Sequence, residues 1–327
     1  MRRREFIAGL GSAAAWPIAA RGQQQPGMPV VGVLTNGTES VARGFLAVFL
    51  QGLREQGFVE GRNVEILPRH AELQEDRLPA LAADLVQRHV AAIFVAPNVA
   101  FARIAKNATA TIPIVFSAGG DPVESGIVAN LNRPGGNVTG ATFLTIRLVA
   151  KRLEILHEIV PTATSIGYLI NPNNPQLEAE SREIEAAARS LGVRVVAAKA
   201  STADEIDLAV ASLMEQKVGA MLSTDDTLFV VNARTLVALA ARYALPTIYI
   251  APGYVRVGGF ISYGGDFTEA HHIAGTYVGR ILKGEKPSDL PVQQTTRIAL
   301  AINLKTAKLL GLTIPRWLLA RADEVIE

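Results

Sequence analysis

The chain has 327 residues, 49 % of them apolar, no cysteine and a formal net charge of +2 at pH 7. Balanced charge offers no electrostatic footprint for nucleic acid. The missing thiols exclude disulfides, a cysteine nucleophile, Cys-ligated metals and a lipidated N-terminal cysteine. What remains is a globular chain long enough for two lobes of ordinary size.

The first 22 residues read as an export signal. Met1-Arg-Arg-Arg-Glu-Phe-Ile is basic, residues 8–20 are small and apolar but short for a bilayer, and Ala20-Arg-Gly22 suits a signal peptidase. Arg3-Arg4-Glu5-Phe6-Ile7 resembles the twin-arginine signal, with general secretion as the other route. The expectation is cleavage near Gly22/Gln23 and a periplasmic location. No later segment is long and apolar enough to be a membrane span.

Residues 28–35 read as a strand buried on both faces, 41–57 as a helix stopped by Gly57, and 63–67 as a second strand. A helix over 78–89, a strand over 91–96, a helix over 99–109 and a strand over 112–116 follow. This β-α alternation is the pattern of an open parallel sheet. Ser117 to Gly140 is small, polar and turn-forming, with the breaker Arg133-Pro-Gly-Gly inside it. Residues 137–145 read as the chain leaving one lobe for another.

The alternation then restarts. Helices are expected over 150–159, 177–191, 204–216, 229–243, 267–282 and 304–310. Strands are expected over 165–170, 193–198, 220–223, 246–250, 260–263 and 296–302. The fold class is therefore α/β, with two Rossmann-like lobes that have parallel-sheet cores and a multi-strand hinge. The first lobe takes 29–144 and 265–285, the second 145–264 and 286–327. The proposed crossings are 143–147, 263–266 and 286–291.

In open α/β sheets, ligands sit beyond the carboxyl ends of the strands. Five loops qualify: 35–40, 97–100, 117–121, 171–175 and 224–227. Asn, Asp, Ser and Thr are also ordinary turn and cap residues there, so each loop alone says little. Enzyme signatures are weak. There is no Gly-x-Ser-x-Gly elbow, Glu285 stands where a Walker lysine belongs, and no His-Glu-x-x-His occurs. His271 and His272 are adjacent on a helix, so they point about 100° apart and do not chelate together. No catalytic residue, metal or cofactor is expected.

Several motifs carry a family resemblance over nearly the whole mature chain. They are Gly120-Asp-Pro-Val, Leu131-Asn-Arg-Pro-Gly-Gly-Asn-Val-Thr-Gly and Lys151-Arg-Leu-Glu-Ile-Leu. Toward the C-terminus come Ile281-Leu-Lys-Gly, Asp289-Leu-Pro-Val-Gln, Ile302-Asn-Leu-Lys-Thr-Ala-Lys-Leu-Leu-Gly and Ala320-Arg-Ala-Asp-Glu-Val-Ile. The chain resembles the exported ABC-transporter substrate-binding proteins related to tryptophan- and tyrosine-binding solute receptors. The resemblance implies a type I periplasmic-binding-protein fold, a small-molecule solute held between lobes, and delivery to a membrane permease. A monomer is expected. A sensing module of the same fold that signals to a membrane partner is the alternative. The family keeps a Gly- or Ser/Thr-rich loop where this chain has Pro97-Asn98-Val99-Ala100.

An amino-acid-like or aromatic solute needs three kinds of partner. N–H groups around Asn98, Val99 and Ala100, and from Ser117 to Gly119, would meet a carboxylate. Asp225 or Asp226, and less directly Asp121, would meet an ammonium. Tyr249, Tyr254 and Tyr263, with Phe143 near the first crossing, would flank an apolar body. Asn36, Thr38 and Asn171 complete the candidate set from the strand-exit loops.

Overall fold

The computed structural model describes residues 27–143 and 148–327. The expected export signal and residues 144–147 of the first crossing lie outside the described residues. The chain opens with β1 (Val30–Thr35), α1 (Glu39–Glu55), β2 (Glu65–His70), α2 (Leu78–Gln87), β3 (Ala92–Ala96), α3 (Val99–Ala108), β4 (Ile114–Gly119) and β5 (Val138–Phe143). It continues with α4 (Leu148–Ile159), β6 (Ser165–Ile170), α5 (Leu177–Leu191), β7 (Arg194–Lys199), α6 (Ala203–Glu215), β8 (Ala220–Ser223), α7 (Thr227–Val231) and α8 (Ala233–Arg242). Then come β9 (Thr247–Tyr249), α9 (Pro252–Arg256), β10 (Ile261–Gly265), α10 (Phe267–Leu282), β11 (Gln293–Thr295), β12 (Ile298–Asn303), α11 (Leu304–Leu309), α12 (Arg316–Arg321) and β13 (Glu324–Ile326).

These elements build two sheets. The first runs β11-β5-β4-β3-β1-β2, with parallel pairing throughout. The second runs β13-β12-β10-β9-β8-β6-β7, parallel except where β10 meets β12. Central strands such as β3 and β4 are buried along their whole length. That explains their unbroken apolar or small-residue runs, since helices cover both faces of a parallel sheet.

Helices α1 and α10 pack on one face of the first sheet. Phe49 of α1 stacks on Phe94 of β3 with ring centroids 4.3 Å apart. The two helices approach closely because glycines face each other. A Cβ on Gly52 would strike the carbonyl oxygen of His272, and one on Gly275 would strike that of Phe49. This contact fixes α10, which arrives from the second lobe, onto the first.

Two boundaries differ from the sequence reading. Residues 137–145 were expected to be a departing linker, but β5 occupies most of that stretch and is buried along its whole length. Its residues, Val-Thr-Gly-Ala-Thr-Phe, lack the apolar run of a central strand. Gly140, at φ +155°, is required because a Cβ there would collide with the backbone of Phe116 on β4. The second correction concerns 286–295, expected in the second lobe. Leu290 belongs to the first lobe's core, its carbonyl accepts a hydrogen bond of 2.6 Å from Thr139 Oγ1, and β11 pairs with β5. The third crossing is therefore 296–297 rather than 286–291. It lies beside the second, where the Asp266 N–H donates to Arg297 O at 2.9 Å.

Asn232 divides the single helix expected over 229–243 into α7 and α8. Short α9, α12 and β13 fall in stretches too brief for periodicity to show.

The close helix contact predicts the effect of one added methyl group. Gly275→Ala should destabilise the protein by about 1–3 kcal/mol through overpacking. Gly44→Ala, whose Cβ meets nothing within 4 Å, should not destabilise. Urea unfolding of the two variants against the parent measures this.

Candidate ligand-binding cleft

Parallel pairing sends the strand exits of both sheets to the space between the lobes. A cavity of about 210 Å³ lies there. From the first lobe come Thr35 and Asn36 after β1, Pro97 and Asn98 after β3, Gly119 at the end of β4 and Phe143 at the end of β5. From the second come Asn174 to Gln176 after β6, and Asp225 to Thr227 after β8.

Short polar bonds hold these loops. Asn98 Oδ1 accepts the Ala100 N–H at 2.8 Å and caps α3. Asp226 Oδ1 accepts the Leu228 N–H at 2.8 Å and Asn171 Nδ2 at 3.1 Å, capping α7. Asn174 Nδ2 donates to Asp225 O at 2.7 Å. Asn36 joins the lobes: its Nδ2 donates to Glu75 Oε1 at 3.2 Å, and its Oδ1 accepts Thr227 Oγ1 at 3.0 Å. Gln176 reaches across to the first lobe at Gly120, where a Cβ would meet its Nε2.

The first-lobe wall is aromatic. Phe45 from α1, Phe101 from α3, Phe143, and Phe267 and His271 from α10 all line the cavity. Phe143 and Phe267 lie 4.6 Å apart by ring centroids, and Phe45 lies 5.2 Å from the His271 ring. His271 is only 7 % exposed, and its Nδ1 has no hydrogen-bond partner among the described residues. Burial holds its pKa down to about 4, so the imidazole is neutral.

Three carboxyl groups share the remaining lining with amide and hydroxyl side chains. Burial pushes Asp225 up to about 6, opposed by Arg152 and reinforced by Asp226. Burial also raises Asp226, against the hydrogen bonds it accepts from Asn171 and the Leu228 N–H. Glu75 rises for the same reason, with the Asp226 charge adding to the effect and the Asn36 bond opposing it. Among the described residues, no lysine or arginine lines this cavity. Arg152 is fully buried behind the second-lobe wall, near Glu180, whose Oε2 accepts the Tyr168 hydroxyl at 3.0 Å. Burial pushes Glu180 up to about 8.

Of the residues proposed from sequence, the structure brings Asn36, Asn98, Gly119, Asp225 and Asp226 together in the cavity, with Phe143. Asn171 lines the adjoining cleft and holds Asp226. The others lie elsewhere. Tyr249 and Tyr254 stack on each other at 4.7 Å within the second-lobe core. Tyr263 packs against a second core cluster of that lobe.

Ser117 is fully buried within β4, and Val99 belongs to the first-lobe core. Thr38 precedes α1 outside the cavity lining. Asp121 is exposed and accepts the N–H groups of Val123 and Glu124. Two of the N–H groups expected to meet a carboxylate are engaged: Ala100 donates to Asn98 Oδ1 and Gly119 to Pro97 O.

Sequence reasoning missed Glu75, Phe101, Phe267, Gln176 and the role of His271. Phe45 falls inside the helix expected over 41–57, with nothing local to mark it as facing a cleft. A cleft-facing phenylalanine and a core phenylalanine leave the same mark on a helix, and only the partner lobe distinguishes them.

The neutral imidazole has a measurable consequence. Its folded pKa lies below its unfolded value, so its stabilising contribution is present above pH 6.5 and lost as pH falls toward 4. The loss is about 3 kcal/mol at pH 4. His271→Gln should flatten the fall of stability over that window, as chemical unfolding at stepped pH would show.

The family model described as "ABC transporter substrate binding protein" matches residues 5–326. A tyrosine-binding protein of Clostridioides difficile is 29 % identical over 265 residues, covering 81 % of this chain and 75 % of that one. A conserved domain protein of Vibrio cholerae shares the structure with a TM-score of 0.83 at 28 % identity, covering 91 % of this chain and 99 % of that one. An ABC domain from Streptococcus pneumonia, solved in complex with L-Trp, follows at 0.81 and 26 %, with the same coverage. The fold is that of the type I periplasmic binding proteins. By family and by structural likeness the chain is a solute-binding protein rather than an enzyme, and it belongs to the ABC transporter substrate-binding protein family.

Proposed function

We propose that this chain is the exported solute-binding component of an ABC importer. It closes its two lobes, as a monomer, on a small amino-acid-like or aromatic solute and delivers that solute to a membrane permease. One observation carries this reading: a cavity walled by the strand exits of both sheets, aromatic on one side and polar on the other. Ligand pockets generally pair apolar lining with a few placed polar groups. Family membership and the relatives with bound or named aromatic amino acids support the solute class.

The lobes are joined by thin crossings, so closure is a hinge motion about them. The Asn36–Thr227 hydrogen bond between the lobes forms only when they approach. A thermal-shift screen of amino acids, aromatic acids and small metabolites tests the reading. A ligand at about 100 times its dissociation constant should stabilise by about 2.7 kcal/mol. Small-angle scattering should then record a smaller radius of gyration with that ligand than without it. No stabilisation across the screen, or an unchanged radius in a protein that is open when free, counts against solute-driven closure.

Export has its own test. Arg3→Lys with Arg4→Lys should block processing of the precursor if the twin-arginine route is used. Normal processing through the general secretory channel would rule that route out.

A further inference from the structure

We propose that the cleft selects its solute by a cationic amine carried on an aromatic or apolar body, and that it does not read a carboxylate. This rests on the solute-binding reading and deepens it. The first ground is where the carboxyl groups converge. Glu75 comes from the first lobe, Asp226 from the second, and Asn36 lies between them, bonded to Glu75 and to Thr227 beside Asp226. Asp225 lines the same cavity. Closing the lobes therefore brings like charges together, and a cation seated among them turns repulsion into attraction. The buried guanidinium nearest them, Arg152, lies behind the wall and faces Glu180 as well as Asp225.

The second ground concerns what a carboxylate would need. Two backbone donors beside the cavity are already spent: the Ala100 N–H on Asn98 Oδ1 and the Gly119 N–H on Pro97 O. The third is the body of the cavity. Phe45, Phe101, Phe143 and Phe267 offer ring faces and edges to an apolar group. His271 adds a buried, unpartnered Nδ1 in that aromatic wall, suited to one polar substituent on the ring. An ammonium over phenyl faces gains further from their quadrupoles.

Calorimetry with matched pairs tests this on the mature chain: tryptamine against indole-3-propionate, phenethylamine against 3-phenylpropionate, and L-tryptophan as the zwitterion. Each amine should bind at least 100-fold more tightly than its matching acid, and tryptamine at least as tightly as L-tryptophan. Asp226→Asn and Glu75→Gln should each weaken amine binding tenfold or more and leave the acids unchanged or improved. Asparagine caps a helix about as well as aspartate, so the first variant should fold, and its unfolding midpoint confirms that it has.

An acid binding as tightly as its amine, amines that fail to bind, or both variants retaining full amine affinity would overturn the proposal. If some other solute of the wider screen binds while the amines do not, solute binding stands and the amine reading alone falls.

Discussion

Parallel strand pairing is the constraint on which the rest of this molecule depends. It calls for crossover connections between strands, and it aims the exits of the first sheet and of β6 to β10 in the second at one end of each sheet. Two such sheets set exit to exit enclose a cleft lined by strand ends, exit loops and the flanking helices. The strand interiors stay buried and hold the exit loops in place. Short caps then set each loop: Asn98 on α3 and Asp226 on α7 spend a side-chain oxygen on a backbone N–H. These residues are placed by the physics of helix ends, which also sets them at the cavity.

The lobes are not independent beads. The chain crosses three times, and α10 returns from the second lobe to lie on α1 with glycines at the contact. β11 returns with it as the edge strand beside β5. The second and third crossings are hydrogen-bonded to each other at Asp266 and Arg297 and joined by an ion pair of 3.4 Å. Such a pairing lets the connection bend as a unit. Helix α10 also supplies Phe267 and His271 to the aromatic wall, so the element nearest the hinge is part of the site.

Electrostatics divide the cleft. The second-lobe wall stacks a fully buried Arg152 and Glu180 behind Asp225, with several polar atoms of that layer unpaired among the described residues: Ser223 Oγ, Thr224 Oγ1 and Tyr254 OH. Unpaired buried polar atoms are costly, and a low-dielectric layer of this kind makes the charge at the cleft surface sensitive to its neighbours. Carboxyl groups raised by burial and by one another are a cost carried by the free protein. Strain of this sort is ordinary at functional sites and uncommon elsewhere.

The sequence alone determined most of the skeleton, because its strands and helices are long enough for period and propensity to agree. Residues 92–96 are an unbroken apolar run, and the helix expected over 267–282 coincides with α10. The exit loops carrying Asn36, Asn98, Asp225 and Asp226 were legible for the same reason: they follow strands of known direction. Tertiary structure decided what local pattern cannot encode. β5 is a strand only because β4 and β11 pair with it on either side, and 286–295 belongs to the first lobe through partners far away in sequence, among them Leu131, Thr139 and β5. Tyr249 and Tyr254 have the composition of a binding wall but turn inward onto each other, while Phe101 and Phe267 have the composition of a core but turn to the cleft. An aromatic side chain's burial depends on what stands opposite it, and only the second lobe's approach supplies that.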